Sequence, residues 1–469
     1  MKSTNSFHIE SGSFRDRNGR IFYEKGNIYR AISHRALGEW KHLTETKFFH
    51  KASAEGKLVH TEQIDIAVLS DPSIAKEWAA VLKHELISFI SYPYEWSFGM
   101  LKDAALLQLD LLEKALNENM TLKDATSYNI QWKGVKPIFI DIPSFEKLIP
   151  GTPWVGYRQF CELYLYPLML QAYKDVAFHP WLRGRVDGID PEEINKLMSV
   201  RDLFRAGVLA DVYIQSKLQS KYATTNRKVK DELRTSGFKK EMILVNVRRL
   251  KKVINDLQWK RAKSEWSEYA DVNSYTDGDS EMKTEFVRKA AQTKQWNLVW
   301  DLGCNTGRFS RIAAEHAHTV VAMDSDHLAV ELLYQNLKKE QKQNILPLVM
   351  NLADASPGLG WKGEERKSIT DRGKPDLILA LALIHHVVIS ANIPLREFIG
   401  WLANLGADLV IEFVTKDDPM TKILLKNKED QYADYELDYF EKSLKEKFSI
   451  IRREPLASGT RILYYGKLS

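Results

Sequence analysis

Cysteine is nearly absent: Cys161 and Cys304 are the two in 469 residues, which excludes a disulfide framework and makes a reducing cytoplasm the expected home. Long apolar runs are missing as well. The longest, DLILALALIHHVVI at 376–389, is interrupted by two histidines and too short for a membrane span, and the opening stretch MKSTNSFHIESGSFRDRNGR has no apolar h-region. Neither a spanning helix nor an export signal is expected. Internal repeats and low-complexity tracts are also lacking, which sets aside solenoids and disordered tails. What remains, at 44% apolar and 28% charged residues, is ordinary globular composition with length for two or three domains.

Charge of one sign is scarce overall, with a net of +5, but it is unevenly spread. Residues 217–263 carry 15 Lys and Arg against 4 Asp and Glu, so the rest of the chain is net acidic. Within that segment Ile243, Val247, Leu250, Ile254 and Leu257 recur at helical spacing. Two readings follow: a helical connector with a solvated basic face, or a surface for nucleic acid or an acidic substrate. The division expected is therefore an N-terminal α+β domain over 1–215, a basic connector over 216–264 and a third part over 265–469.

The most informative stretch is NLVWDLGCNTGRFSRIAAEHAHTVVAMD at 297–324. An apolar strand ends at Asp301, the chain turns through Gly303 and Gly307 into a helix, and a second strand ends on Asp324, 21 residues past Gly303. Glycines let bare backbone approach a ligand, and an acid at that distance can accept from ribose hydroxyls. The G-x-G-x-x-G dinucleotide fingerprint is absent, because Asn305 stands two after Gly303. DLGCNTG resembles motif I of class I S-adenosylmethionine-dependent methyltransferases, which implies a cofactor site at Asp301, Gly303, Cys304, Asn305, Gly307 and Asp324.

Strand and helix then alternate: helix 327–341, strands 344–350 and 376–383, helix 395–404, strand 407–414. This predicts an α/β domain with a parallel, Rossmann-like sheet. The last segment, FSIIRREPLASGTRILYYGKL, reads as a hairpin, and a closing antiparallel strand is what the methyltransferase sheet has. Ligands in such sheets lie beyond the carboxyl ends of the strands. After the third strand, MNLADA offers Asn351, Ala353 and Asp354; the resemblance implies that Asp354 holds the adenine, the alternative being a turn cap. Leu381, Ala382, His385 and His386 follow the fourth strand, and Glu412 lies near the end of the fifth. A histidine here is a candidate base toward a hydroxyl or amine, or else a partner of nearby backbone. Glu412 is read as a base, an amine anchor or the partner of a lysine. Before the glycine turn, Trp266, Tyr269, Tyr275 and Lys283 are candidates for a lid over the sulfonium. The NPPY or DPPY signature that resembling enzymes use on exocyclic amines of bases and on glutamine is absent, which lowers the case for methylation of DNA bases.

In the N-terminal half, turn residues at 18–19 and 26–27 predict short antiparallel strands, and MLKDAALLQLDLLEKALNEN an amphipathic helix. The following MTLKDATSYNIQWKGVKPIFIDIPSFE resembles the catalytic region of protein-kinase-like folds, with Asp124, Asn129 and Asp141 at the matching positions. That resemblance implies ATP and Mg²⁺. The match departs at Leu122, where the family has His, and at Ile142–Pro143 after Asp141. The reading as a whole is a methyltransferase acting on a small-molecule or glycan hydroxyl, its N-terminal domain directing substrate. An RNA methyltransferase gripping through 217–263 and a non-catalytic nucleotide-sensing protein are the alternatives.

Overall fold

The two short apolar runs at the start of the chain pair as an antiparallel hairpin in the computed structural model, which describes residues 7–71, 73–217, 239–261, 277–426, 428 and 431–469. Strand β2 (Gly19–Glu24) turns into β3 (Asn27–Ile32) through Lys25 and Gly26, both at positive φ, as a tight two-residue hairpin requires. Flanked by β1 (His8–Ile9), β4 (Thr61–Ile64) and β5 (Ala80–His84), they form a five-stranded antiparallel sheet in the order β1-β2-β3-β5-β4. Helices His34–Thr44 and Lys47–Ala54 lie between β3 and β4 in sequence, each started by a capping hydroxyl, Ser33 and Thr46.

The chain divides into two compact units. The first comprises 1–132, 137–260 and 360–366; the second comprises 133–136, 261–359 and 367–469. At the centre of the first is helix Phe98–Asn117, with Leu101, Ala105, Leu109, Leu112 and Leu116 all fully buried, as its 3.6-residue period predicts. Strands β6 (Met120–Leu122) and β9 (Phe145–Lys147) pair antiparallel after it, and β7 (Ile130–Lys133) pairs with β8 (Lys136–Phe139). The aromatic-rich stretch after residue 153 is helical core, as its composition suggests.

The described part of the expected connector is not a free-standing link. Helix Lys240–Asp256 belongs to the first unit and packs along helix 98–117, burying Ile243, Val247, Leu250, Ile254 and the following Leu257. Its basic residues meet that unit's acids: Arg248 and Lys251 donate to Glu113 at 2.7 and 2.9 Å, and Arg249 reaches both oxygens of the buried Asp211 at 2.5 and 2.7 Å. The rest of the basic segment, 218–238 and 262–263, lies outside the described residues, as do Trp266, Tyr269 and Tyr275.

The second unit is a seven-stranded sheet: β10 (Trp296–Leu302), β11 (Ala317–Asp324), β12 (Ile345–Val349), β13 (Leu377–Ala380), β14 (Asp408–Val414), β15 (Phe448–Pro455) and β16 (Arg461–Leu468). The order is β12-β11-β10-β13-β14-β16-β15, parallel from β12 to β14. Antiparallel β16 then joins β14, with β15 outside it. Strands β10 and β13 are neighbours although two strands intervene in sequence. The order reverses there, and a crevice opens at the carboxyl ends.

Candidate active site

Three left-handed residues within five positions shape the turn after β10: Gly303 at φ 75°, Asn305 at 47° and Gly307 at 80°. Asn305 is tolerated because its short amide makes that region accessible, and its Oδ1 accepts from the Thr306 N–H at 2.7 Å. Gly307 opens helix Arg308–Ala314 at a left-handed φ that favours glycine, and a Cβ there would stand 2.5 Å from a Leu333 methyl, which would have to move aside. The Gly303 and Cys304 amides both donate to Met323 O on β11, at 2.8 and 3.0 Å. They tie the turn to the strand that carries Asp324.

Asp324 is the fulcrum. One carboxylate oxygen accepts from the Asn305 amide at 2.8 Å and the other from the Asp326 amide at 2.9 Å. Burial raises its pKa, opposed by those same backbone donors. Its position at the head of a cavity of about 640 Å³ leaves the carboxylate facing the space lined by Gly303, Cys304, Asn305 and Thr306. Met350, Asn351, Leu352 and Ala353 bound the next side, and Leu381, Ala382 and Leu383 the floor. Both cysteines are buried, and burial holds the Cys304 thiol well above the ordinary thiol range.

Two of the expected cofactor residues stand elsewhere. Asp301 is buried behind the turn, accepts from Ser310 Oγ at 2.5 Å and does not line the cavity; desolvation pushes its pKa up to about 6. It fastens the strand to the following helix. Asp354 is exposed and outside the lining, because β12 ends at Val349 and a 3-10 turn capped by Asn351 carries the chain past the rim. Asn351, two residues past the strand, lines the cavity.

The histidines also separate. A π-helical turn, His386–Ser390, presents His386, Val387 and Ser390 to the cavity, joined by Ala391 and by Leu424 from helix Pro419–Leu425. His385 lies beneath, fully buried, its ring 4.1 Å from that of His386, with neither ring nitrogen hydrogen-bonded. Desolvation drives both imidazoles toward the neutral form, His386 down to about 4 and His385 further.

Glu412 does not reach the cavity. It takes the Lys283 ammonium at 2.6 Å, the Ala382 amide at 2.8 Å and Arg461 at 3.3 Å. Arg461 in turn donates to Asp418 at 2.7 and 3.2 Å, all four side chains being buried. Of the roles considered for Glu412, partner of a lysine is the one this arrangement matches. Ala382 sits at φ 51°, a conformation costly for alanine, and Glu412 holds its amide. Lys283 lines the cavity, 5.0 Å over the Phe309 ring, its pKa lowered by burial. Sequence reasoning missed Arg461 and Asp418, as no local pattern marks them.

In the first unit, Asp124, Asn129 and Asp141 come together. Asn129 Nδ2 donates to Asp141 at 3.4 Å, and Arg30 of β3 donates to the other Asp141 oxygen at 2.5 Å. Desolvation and then the Asp141 charge raise the Asp124 pKa. Arg30 was not anticipated.

No protein-family model matches the chain. Nodulation protein NoeA of Rhizobium meliloti (strain 1021) is 33% identical over 458 residues, spanning 97% of this chain and 95% of that protein. The chain belongs to the NoeA family. Among solved structures, the N-methyltransferase NodS of Bradyrhizobium japonicum aligns over 41% of this NoeA-family chain and 98% of its own length at 11% identity, with a TM-score of 0.30. The bifunctional kinase-methyltransferase WbdD aligns over 43% of this chain and 42% of its own at 15% identity, with a TM-score of 0.31. The fold itself rests on the strand order: five parallel strands closed by an antiparallel hairpin, with a glycine turn and strand-end acid at the switch point. The second unit of this NoeA relative has the class I methyltransferase fold.

Proposed function

We propose that the chain transfers the methyl group of S-adenosylmethionine to a neutral hydroxyl of a small molecule or glycan, with His386 taking the proton. One observation supports the acceptor class: among the described residues that line the cavity, Asp324 is the one carboxylate, and the acceptor side of that lining carries no acid to hold a cationic amine. The acceptor side offers His386 and Ser390 as polar groups among Val387, Ala391 and Leu424, a surface matched to an uncharged molecule with an apolar face.

The residues present fit the cofactor. Asp324 would accept from the ribose hydroxyls, Asn351 on the adjacent side of the cavity would take the adenine edge, and Lys283, a buried cation of the lining, would meet the methionine carboxylate. When bound, the cofactor supplies an electrophilic methyl on a sulfonium. The protein's part would be alignment: the cavity would hold the acceptor hydroxyl in line with that methyl and beside His386, whose ring would take the hydroxyl proton. A neutral imidazole accepts a proton without first losing one.

The test is incubation of cell extract with the purified chain and methyl-labelled cofactor, followed by mass spectrometry. The NoeA relative is a nodulation protein, so extracts of nodulating bacteria are the first to use. We expect one labelled hydroxyl product, abolished by His386→Ala while S-adenosylhomocysteine still binds. Because His386 protonates only near pH 4, labelling should stay level from neutral pH down to about 5 and fall below that. Label on an amine would overturn the acceptor class. The RNA reading has less support, since Arg248, Arg249 and Lys251 are engaged by acids of the first unit.

For the first unit we propose a nucleotide site at Asp124, Asn129 and Asp141. Two carboxylates and an amide oxygen are the hard oxygen donors that Mg²⁺ takes, and Arg30 adds a cation for phosphate. Calorimetry should show Mg²⁺-dependent ATP binding that Asp141→Asn removes. No heat in the wild type would end this proposal and leave the methyltransferase reading intact.

A further inference from the structure

Segment 195–217 of the first unit, NKLMSVRDLFRAGVLADVYIQSK, has four cations and two acids, and both acids, Asp202 and Asp211, are buried. The cations, Lys196, Arg201, Arg205 and Lys217, are all exposed. Every charge this segment shows to solvent is therefore positive. Between those charges stand apolar side chains that the fold leaves uncovered: Phe204 is 92% exposed and Val200 77%, with Leu197, Leu209 and Ile214 each more than a third exposed. Scattered exposed apolar residues are ordinary, but a phenyl ring almost wholly in water is not.

The protruding turn is held rigidly rather than left loose. Asp202 accepts from both the amide and the hydroxyl of Ser199 at 2.7 Å, from the Lys174 ammonium and from Arg205 at 3.1 Å. Arg205 rests on the Tyr173 ring at 4.8 Å and donates to Tyr173 O, while the Tyr173 hydroxyl returns to Ala206 O at 3.1 Å. The turn from Val200 to Phe204 is thus braced at both shoulders, and the following segment is anchored by Arg249 on Asp211. A fixed frame presenting an apolar tip gains contact without an ordering cost.

We propose that this face docks on an anionic lipid surface. The complementarity is twofold: the phenyl and aliphatic tips fit the headgroup–acyl boundary, and the exposed Lys196, Arg201, Arg205 and Lys217 fit negative headgroups, Glu192 and Glu193 one helical turn before Lys196 being partly exposed acids. Nucleic acid would use the cations but leave Val200, Leu209 and Phe204 against phosphate or water. No helix among the described residues is long and apolar enough to cross a membrane, so contact of this kind would be peripheral and reversible.

The experiment is co-sedimentation of the full chain with phosphatidylcholine vesicles, with and without phosphatidylserine, across a salt series. We expect binding to the serine-containing vesicles alone, weakened by salt. Val200→Ser with Phe204→Ser should reduce it about tenfold or more, and Lys196→Glu with Arg201→Glu by a similar factor. Since these side chains are exposed, both variants should melt like the wild type and keep S-adenosylhomocysteine affinity, which separates lost docking from lost folding. Absence of binding to either vesicle, undiminished binding by the serine pair, or displacement of the vesicles by an RNA oligonucleotide would each overturn the proposal.

Discussion

Asp324→Ala should weaken S-adenosylhomocysteine binding by two to three orders of magnitude in calorimetry. The carboxylate has two tasks at once. It holds the Asn305 and Asp326 amides, which set the turn, and it faces the cavity where ribose hydroxyls would donate. Losing two hydrogen bonds to a charged acceptor costs roughly 3–4 kcal/mol, or about 10²–10³ in affinity. Asp301→Asn is the control, because Asp301 is buried away from the cavity and faces Ser310. Its affinity should stay within about fivefold of wild type. The pH dependence has a definite sign: burial raises the Asp324 pKa, and the neutral acid accepts hydroxyl protons poorly. Affinity should therefore decline on acidification at a higher pH than an ordinary aspartate would give, a decline that Asp324→Ala lacks. Equal losses at Asp301 and Asp324 would show that the turn alone, not the ribose contact, sets affinity.

Asp324 was legible because everything that defines it is local. A strand, a turn with two glycines, a helix and a second strand occupy one continuous stretch, and their spacing alone places the acid beside the turn. Asn351 and Asp354 show where strand boundaries limit such reasoning. Three residues separate them, and whether a strand ends at 349 or a little later decides which faces the ligand. Helix 240–256 shows another boundary: its buried stripe follows from periodicity, but the helix it packs on lies far upstream, and no periodicity names a partner. Charges behave the same way. A segment rich in Lys and Arg reads as a solvated face until Glu113 and Asp211 are brought against it by the fold.

Glu412→Ala should be the most destabilising single substitution in the second unit, and it should act through stability before chemistry. The acid is fully buried and shared by Lys283 and Arg461, themselves nearly so. Removing it strands the Lys283 ammonium in the interior and leaves Arg461 to Asp418 alone, and breaking a buried pair costs about 3–5 kcal/mol. For a domain of this size the loss corresponds to roughly 10 °C or more in melting temperature. The Ala382 amide is orphaned as well, and its left-handed conformation loses its restraint, so the cavity floor should loosen. Lys283→Met combined with Glu412→Leu removes one opposite pair and should recover part of the melting temperature, since apolar replacement of a whole buried pair is often neutral. A catalytic base would respond differently: Glu412→Gln would then abolish transfer with melting and cofactor affinity unchanged. The buried quartet leads us to expect the reverse. Melting temperature and S-adenosylhomocysteine affinity should fall together, because the same carboxylate braces Lys283 at the cavity wall and Ala382 at its floor.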